Sequence, residues 1–310
     1  MKESASNASG PVAPYMAVGL STVAHCIAER RHIKHNLATI EDAIHAAVSI
    51  IGINMPVKLI ALAEGALTGF TDEIFDLPHR LAADELFIDV PGEETEALGR
   101  LAKMYSTYIV VQCKARWPEV IEGRYFNVLF VIGPDGEVIH KAAKNHLWCR
   151  EHSCTPHDVY DRWVELFGSG LDAFYPVLKT ADIGNIGTIC CSDGEYPEAV
   201  RALAFNGAEV VYRPSEAVPM TNFGGSPGGS WMVQNRAHAE FNNLYMQEFE
   251  AAGMMAAGIN PKENLVEIME LTEHPWFVGV QFHPEYRSTV ENPHPLFYSF
   301  IRAAITYKLS

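Results

Sequence analysis

Residues 182–212 read DIGNIGTICCSDGEYPEAVRALAFNGAEVVY, and this stretch decides the architecture. Asp182 to Cys191 has the composition of a buried strand. Tyr196 to Asn206 follows at helical spacing, Gly207 stops it, and Glu209 to Tyr212 resumes as a strand. Strand, helix and strand in quick succession are the unit from which α/β layers are built. Cys191 lies where the first strand runs into the helix, beside a second cysteine, Cys190.

The same alternation extends outward. His35 to Ile53 carries apolar residues at helical spacing, and Val57 to Glu64 (VKLIALAE) is nearly all apolar, as a strand covered on both faces would be. Glu93 to Ser106 reads as a helix and Tyr108 to Cys113 as a strand. Phe126 to Ile132 and Glu137 to Lys141 form a pair around a Gly-Pro-Asp-Gly turn. Asn145 to Asp172 lacks a period and reads as a long loop with a short helix, a length that usually carries function. The glycine-rich segment from Asn222 to Ser230 reads as a loop over the site, and Trp231 to about Asn242 as a helix. After that the texture changes to three strands (Gly253–Ile259, Leu265–Leu271, Trp276–Phe282) and a closing helix from Pro295 to Leu309.

Composition narrows the function. The chain has 310 residues, 48% hydrophobic and 20% charged, which fits a globular protein of one large or two modest domains. A formal charge of −15 disfavours nucleic acid and anionic lipid as partners. Six cysteines are too few for a disulfide scaffold and suit a reducing compartment. The N-terminal residues show no signal-peptide pattern and no apolar run is long enough to span a membrane, so the expected location is cytoplasmic.

The chemistry follows from three strand ends. A thiol at a strand-to-helix turn is exposed, and the amides of the helix start would lower its pKa and bind an oxyanion. Cys191 is that thiol, whereas alternation along the strand should turn Cys190 the other way, into the core. Glu64 and Lys144 also close strands, and in α/β sheets sites assemble at strand ends. An acid, an amine and a thiol together suit attack on an amide or nitrile carbon, the acid as base and the amine beside the developing negative charge. His146, Cys149, His152, Cys154 and His157 could ligate metal, but they occupy one segment, and zinc pairs normally come from two, so no metal and no cofactor is expected.

Three motifs carry a family resemblance: LIALAEGALTGF around Glu64, VIHKAAKNHLWCREH around Lys144, and TICCSDGEYPEAVRALAFNGAEVVYRPSE around Cys191. With WMVQNRAHAEFNN they make residues 18–246 resemble the nitrilase (carbon–nitrogen hydrolase) superfamily. The resemblance implies a four-layer α-β-β-α sandwich. It implies Glu64 as general base, Lys144 as stabiliser of the tetrahedral intermediate and Cys191 as the residue that becomes the acyl-enzyme. A second glutamate of the amidase branch maps onto Glu151 with one residue of gap, and the Ser192 amide becomes an oxyanion donor. CSDGEYPE resembles the amidase pattern and the tryptophan of true nitrilases is absent, so a small amide is favoured over a nitrile as substrate.

The C-terminal segment departs from that family. Residues 247–310, which contain INPKENLVEIMELTEHPWFVGVQFHPEYRSTVENPHPLF, resemble the end of CTP synthase within its glutamine amidotransferase domain, as in a chimera. His283 and Glu285 map onto the histidine and glutamate of a Cys-His-Glu triad. The expected division is a catalytic domain over 1–246 and an atypical segment over 247–310, packed on the same core. Alternative readings are a glutaminase using Cys191, His283 and Glu285, and a folded scaffold whose site the graft has spoiled. A homo-oligomer is compatible with either enzyme reading.

Overall fold

The computed structural model describes residues 12–53, 55–216, 229–241, 253–260, 265–271, 273–274, 276–280, 284–289 and 292–309. The chain divides into two compact units, Met1–His238 and Ala239–Ser310.

The first unit is built on two sheets. The larger contains β1 (Met16–Leu20), β2 (Val57–Leu62), β3 (Ile88–Asp89), β4 (Tyr108–Trp117), β5 (Ile121–Ile132) and β6 (Val138–Ala143). Its order is β1-β2-β4-β5-β6, with β3 also pairing β4. β1, β2 and β4 run parallel, while β4, β5 and β6 are antiparallel. The smaller sheet has the order β7-β8-β9, from Val177–Leu178, Ile186–Thr188 and Val210–Tyr212.

Side-chain alternation on these strands generates the layers. On one face of the larger sheet Leu59, Tyr108, Val110, Leu129 and Val131 pack against Ile183, Ile186, Cys190 and Tyr212 of the smaller sheet region. The opposite face (Ile60, Leu62, Ile109, Val111, Val128, Phe130) packs against helices α1 (Ile33–Ile51), α3 (His79–Glu85) and α4 (Glu93–Tyr105). Short α2 (Thr71–Ile74) lies between α1 and α3 in the chain. Helix α7 (Pro197–Phe205) covers the outer face of the smaller sheet through Ala199, Val200 and Leu203 packed on Ile189. Helix, sheet, sheet, helix is therefore the order of layers, with both sheets buried between.

The expected helices and strands are largely present, with shifted ends. β4 continues to Trp117 and β5 starts at Ile121, because these antiparallel neighbours pair beyond the apolar stretch. The strand expected over 182–191 shrinks to β8, because β9 pairs only Ile186 to Thr188 before the chain turns. The long loop after β6 contains α5 (Tyr160–Phe167) and α6 (Leu171–Phe174). Helix α8 spans Gly229–Phe241, and the glycine-rich loop before it lies outside the described residues from 217 to 228.

The second unit holds an antiparallel sheet of β10 (Met254–Asn260), β11 (Leu265–Leu271) and β12 (Val278–Val280), followed by α9 (Pro295–Leu309). No helix among the described residues is long and apolar enough to cross a membrane.

Candidate active site

The polar side chains of the first unit converge at one end of the inter-sheet layer. Gln112 and Lys114 extend the Tyr108–Val110 face of β4, and Asn127 extends the Leu129–Val131 face of β5. Lys114 and Asn127 are register partners, and the Lys144 amide donates to the Asn127 carbonyl at 2.9 Å. Three adjacent strand positions thus deliver Lys114, Asn127 and Lys144 side by side. Glu64, two residues past β2, joins them through Gly65, whose amide donates to Gln112 Oε1 at 2.8 Å. Gly65 has φ +72, and a Cβ there would lie 2.4 Å from the Phe70 ring, so glycine alone fits this turn.

Glu151 is the hub. Its Oε2 lies 2.5 Å from Lys144 Nζ, while its Oε1 lies 2.7 Å from Lys114 Nζ. That same Oε1 accepts hydrogen bonds from Asn127 Nδ2 at 2.7 Å and Ser153 Oγ at 2.9 Å. Burial alone would raise the Glu151 pKa, but Lys114 and Lys144 outweigh it and hold the carboxyl well below its usual range. Lys144 is likewise buried, yet the facing carboxyl groups of Glu151 and Glu64 outweigh desolvation and raise its pKa, so it is an ammonium ion. The Glu64 carboxylate accepts from Cys190 Sγ at 3.0 Å through Oε1 and from the Glu216 amide at 2.7 Å through Oε2.

The cysteine turn differs from the sequence expectation in two respects. Cys190 is buried as expected, but it faces the site, and it is the thiol in contact with Glu64. Extended geometry ends here, since Cys191 adopts a positive φ of +45, and both cysteines border the same inter-sheet cluster. Such a conformation in a non-glycine residue is uncommon and costs about 1 kcal/mol. The Cys191 thiol is also not lowered: burial, then the Glu64 charge, pushes it up to about 11. Cys190 is pushed up still further by burial and by Glu64. Both thiols therefore rest protonated at neutral pH, and attack requires a base.

Of the two, Cys191 is the half-buried one, and its Sγ accepts from Ser215 Oγ at 3.3 Å. Its amide donates to the Pro214 carbonyl at 2.9 Å, which leaves the next amide, that of Ser192, as the candidate oxyanion donor. Asp193 clamps the turn. Its Oδ2 accepts from the Cys190 amide at 3.0 Å, and its Oδ1 from the Asn145 and His146 amides at 3.1 and 2.7 Å. The residues after Lys144 are thereby tied to the cysteine turn.

Arg213 supports the turn from the other side. It donates to the Cys191 carbonyl at 2.9 and 3.1 Å and to Gln234 and Asn235 of α8, and its guanidinium stacks 3.7 Å above Trp231. Gly194 admits that arginine, since a Cβ there would meet Nε at 2.1 Å.

Sequence reasoning named Glu64, Lys144, Glu151, Cys191 and Ser192 and missed Gln112, Lys114, Asn127, Asp193 and Arg213. The signal for the first three was present: polar residues at alternate positions inside otherwise apolar strands. His283 and the side chain of Glu285 lie outside the described residues. Within the histidine-rich segment His146 stacks on Tyr196 and His157 on Phe174.

The family model for carbon-nitrogen hydrolase matches residues 21–276. The chain belongs to the carbon–nitrogen hydrolase family. Its fold is similar to that of an amidase from Nesterenkonia sp., at 20% identity and a TM-score of 0.51 over 76% of each chain. It is also similar to a variant of the Nesterenkonia sp. AN1 amidase in which the acetamide moiety of fluoroacetamide is covalently bound to the active-site cysteine. That likeness is 18% identity, with a TM-score of 0.50 over 76% of each chain. A separate match is to CTP synthase of Christiangramia forsetii, 61% identical over 71 residues. That covers 23% of this chain and only 13% of the synthase, so this member of the carbon–nitrogen hydrolase family carries a small part of a second protein type. Such a composite is what the chimera reading expected.

Proposed function

We propose that this carbon–nitrogen hydrolase cleaves a small amide through a thioester on Cys191. The observation that carries the reading is the convergence of Glu64, Lys144, Glu151 and the Cys190–Cys191 turn at one end of the inter-sheet layer. As the Cys191 sulfur attacks the amide carbon, its proton passes to Glu64. The negative charge that develops on oxygen is met by the Lys144 ammonium and the Ser192 amide. Glu64 returns the proton to the departing nitrogen, ammonia leaves, and the thioester remains. Glu64 then takes a proton from water as it attacks the thioester, and returns that proton to the departing sulfur, releasing a carboxylic acid and restoring the thiol. Glu151 holds Lys144 in place and charged throughout. No metal or cofactor enters these steps.

The test is hydrolysis of short aliphatic amides by the wild type, Cys191→Ala and Glu64→Gln, with mass spectrometry of the acylated peptide. Turnover should vanish in Cys191→Ala while cooperative unfolding persists; wild-type turnover in that variant would refute the assignment. The Glu64–Cys190 contact favours a second reading in which Cys190 is the attacking sulfur. Cys190→Ala separates the two, because it retains turnover under the first reading and loses the acyl adduct under the second. His283→Ala should leave activity unchanged; its loss would favour the triad borrowed from the glutamine amidotransferase.

A further inference from the structure

Lys114 belongs to none of the three motifs, yet it is the most enclosed cation of the site. Its side chain is 1% exposed, and Nζ lies 2.7 Å from Glu151 Oε1, 3.0 Å from Ser153 Oγ, 3.3 Å from Asp72 Oδ2 and 3.4 Å from Glu73 Oε1. Burying an ammonium ion is costly and is tolerated only where carboxylates surround it. Neutralising Asp72 and Glu73 alone would not require the observed placement, because the shortest contact is to Glu151, on the oxygen opposite Lys144.

We infer that Lys114 is a positioning residue for the Lys144–Glu151 pair. By occupying Glu151 Oε1, Lys114 fixes the plane of the carboxylate and turns Oε2 toward Lys144. By its charge it keeps Glu151 ionised in a site where burial favours the neutral acid. An ionised Glu151 in turn keeps Lys144 an ammonium ion aimed at the substrate carbonyl. Two lysines thus share one carboxylate, one for orientation and one for chemistry. This inference rests on the proposed amide hydrolysis.

The groups facing Glu151 set its response to pH. Lys114 from β4 and Lys144 after β6 favour its charge, with Asn127 of β5 and Ser153 donating to it. Asp72 and Glu73 of α2, Glu64 after β2, Tyr125 of β5 and the two cysteines after β8 also lie within electrostatic reach of this cluster. Removing the Lys114 charge leaves these acids without one of their two cations, so Glu151 takes up a proton at higher pH.

The experiment measures kcat and KM for acetamide and propionamide from about pH 8 to about pH 5. In Lys114→Gln, which keeps a donor and removes the charge, kcat should fall with KM little changed. The loss should be at least about tenfold larger at the acidic end than at the alkaline end. Lys114→Arg should restore the wild-type pH profile. In a Glu151→Gln background, Lys114→Gln should cost no more than about threefold further, since it acts through Glu151. Equal losses at both pH values, or full additivity with Glu151→Gln, would overturn the inference while leaving the amidase reading intact. A wild type inactive on these and longer aliphatic amides overturns both. If Lys114→Gln does not fold, its combination with Asp72→Asn, which removes a facing carboxyl group 3.3 Å from the lysine, carries the same expectation. Failure of both to fold, with Lys114→Arg folded, assigns Lys114 to structure alone and overturns its positioning role.

Discussion

At the scale of single residues, the site keeps its sulfur as a thiol. With the Cys191 pKa near 11, only a small fraction is thiolate at neutral pH. Alkylation of Cys191 by iodoacetamide should accelerate about tenfold per pH unit from about pH 7 to about pH 10. A rate already flat at neutral pH would show a preformed thiolate and contradict the environment described here. Glu73 offers a second pH test. Burial, the largest influence, raises its pKa to about 7 despite Lys114. A carboxyl whose folded pKa lies above its unfolded value favours the folded state while protonated. Its ionisation therefore costs stability as pH rises from about 4.5 toward and past about 7. Glu73→Gln should remove roughly 2 kcal/mol of the difference between stability at about pH 5 and about pH 8, measured by denaturant unfolding. An unchanged difference would place Glu73 in water. The sequence made Glu64, Lys144 and Cys191 legible because each stands at a strand end inside a motif, whereas Glu151 came only from the family resemblance. It hid Lys114 and Asn127 because a polar residue within a strand declares its partner only when the neighbouring strand is in register.

At the scale of elements, β4 and β5 do most to position the chemistry, and their apolar residues anchor the inter-sheet layer. Leu129 is fully buried between the sheets, two positions from Asn127 on the same face of β5. Leu129→Ala should cost about 3 kcal/mol, read as a lower urea midpoint. Ile139 on β6 is 40% exposed, and Ile139→Ala should cost well under about 1 kcal/mol. A comparable loss at both positions would mean the inter-sheet layer is less tightly packed than its geometry. Apolar periodicity located α4 and the paired strands to within a few residues. It overextended β8 because the run from Ile186 through Cys191 continues past the last residue paired with β9. Hydrophobicity marks burial and is silent on where a partner strand ends.

At the scale of the whole molecule, the two units differ in the amount of core each can build. The first packs three clusters around two sheets. The second contains a three-stranded sheet and α9, on which Phe297, Tyr298, Phe300, Ile301 and Ile305 are substantially exposed. A unit of this size has little apolar surface to bury for each residue it orders. Amide hydrogens of β10 and β11 should therefore exchange at lower denaturant concentration than those of β4 and β5. Simultaneous loss of protection in both sheets would instead show one cooperative body. The layered order of the first unit was readable from strand–helix alternation and from the motifs. The second was readable only as three strands and a helix, because its sequence resembles a protein of which it is a small part. The left-handed backbone at Cys191 also bears on heat resistance. Glycine would occupy that angle without penalty but could carry no sulfur, so the fold retains a small thermal weakness at the position where relieving it would remove the proposed nucleophile.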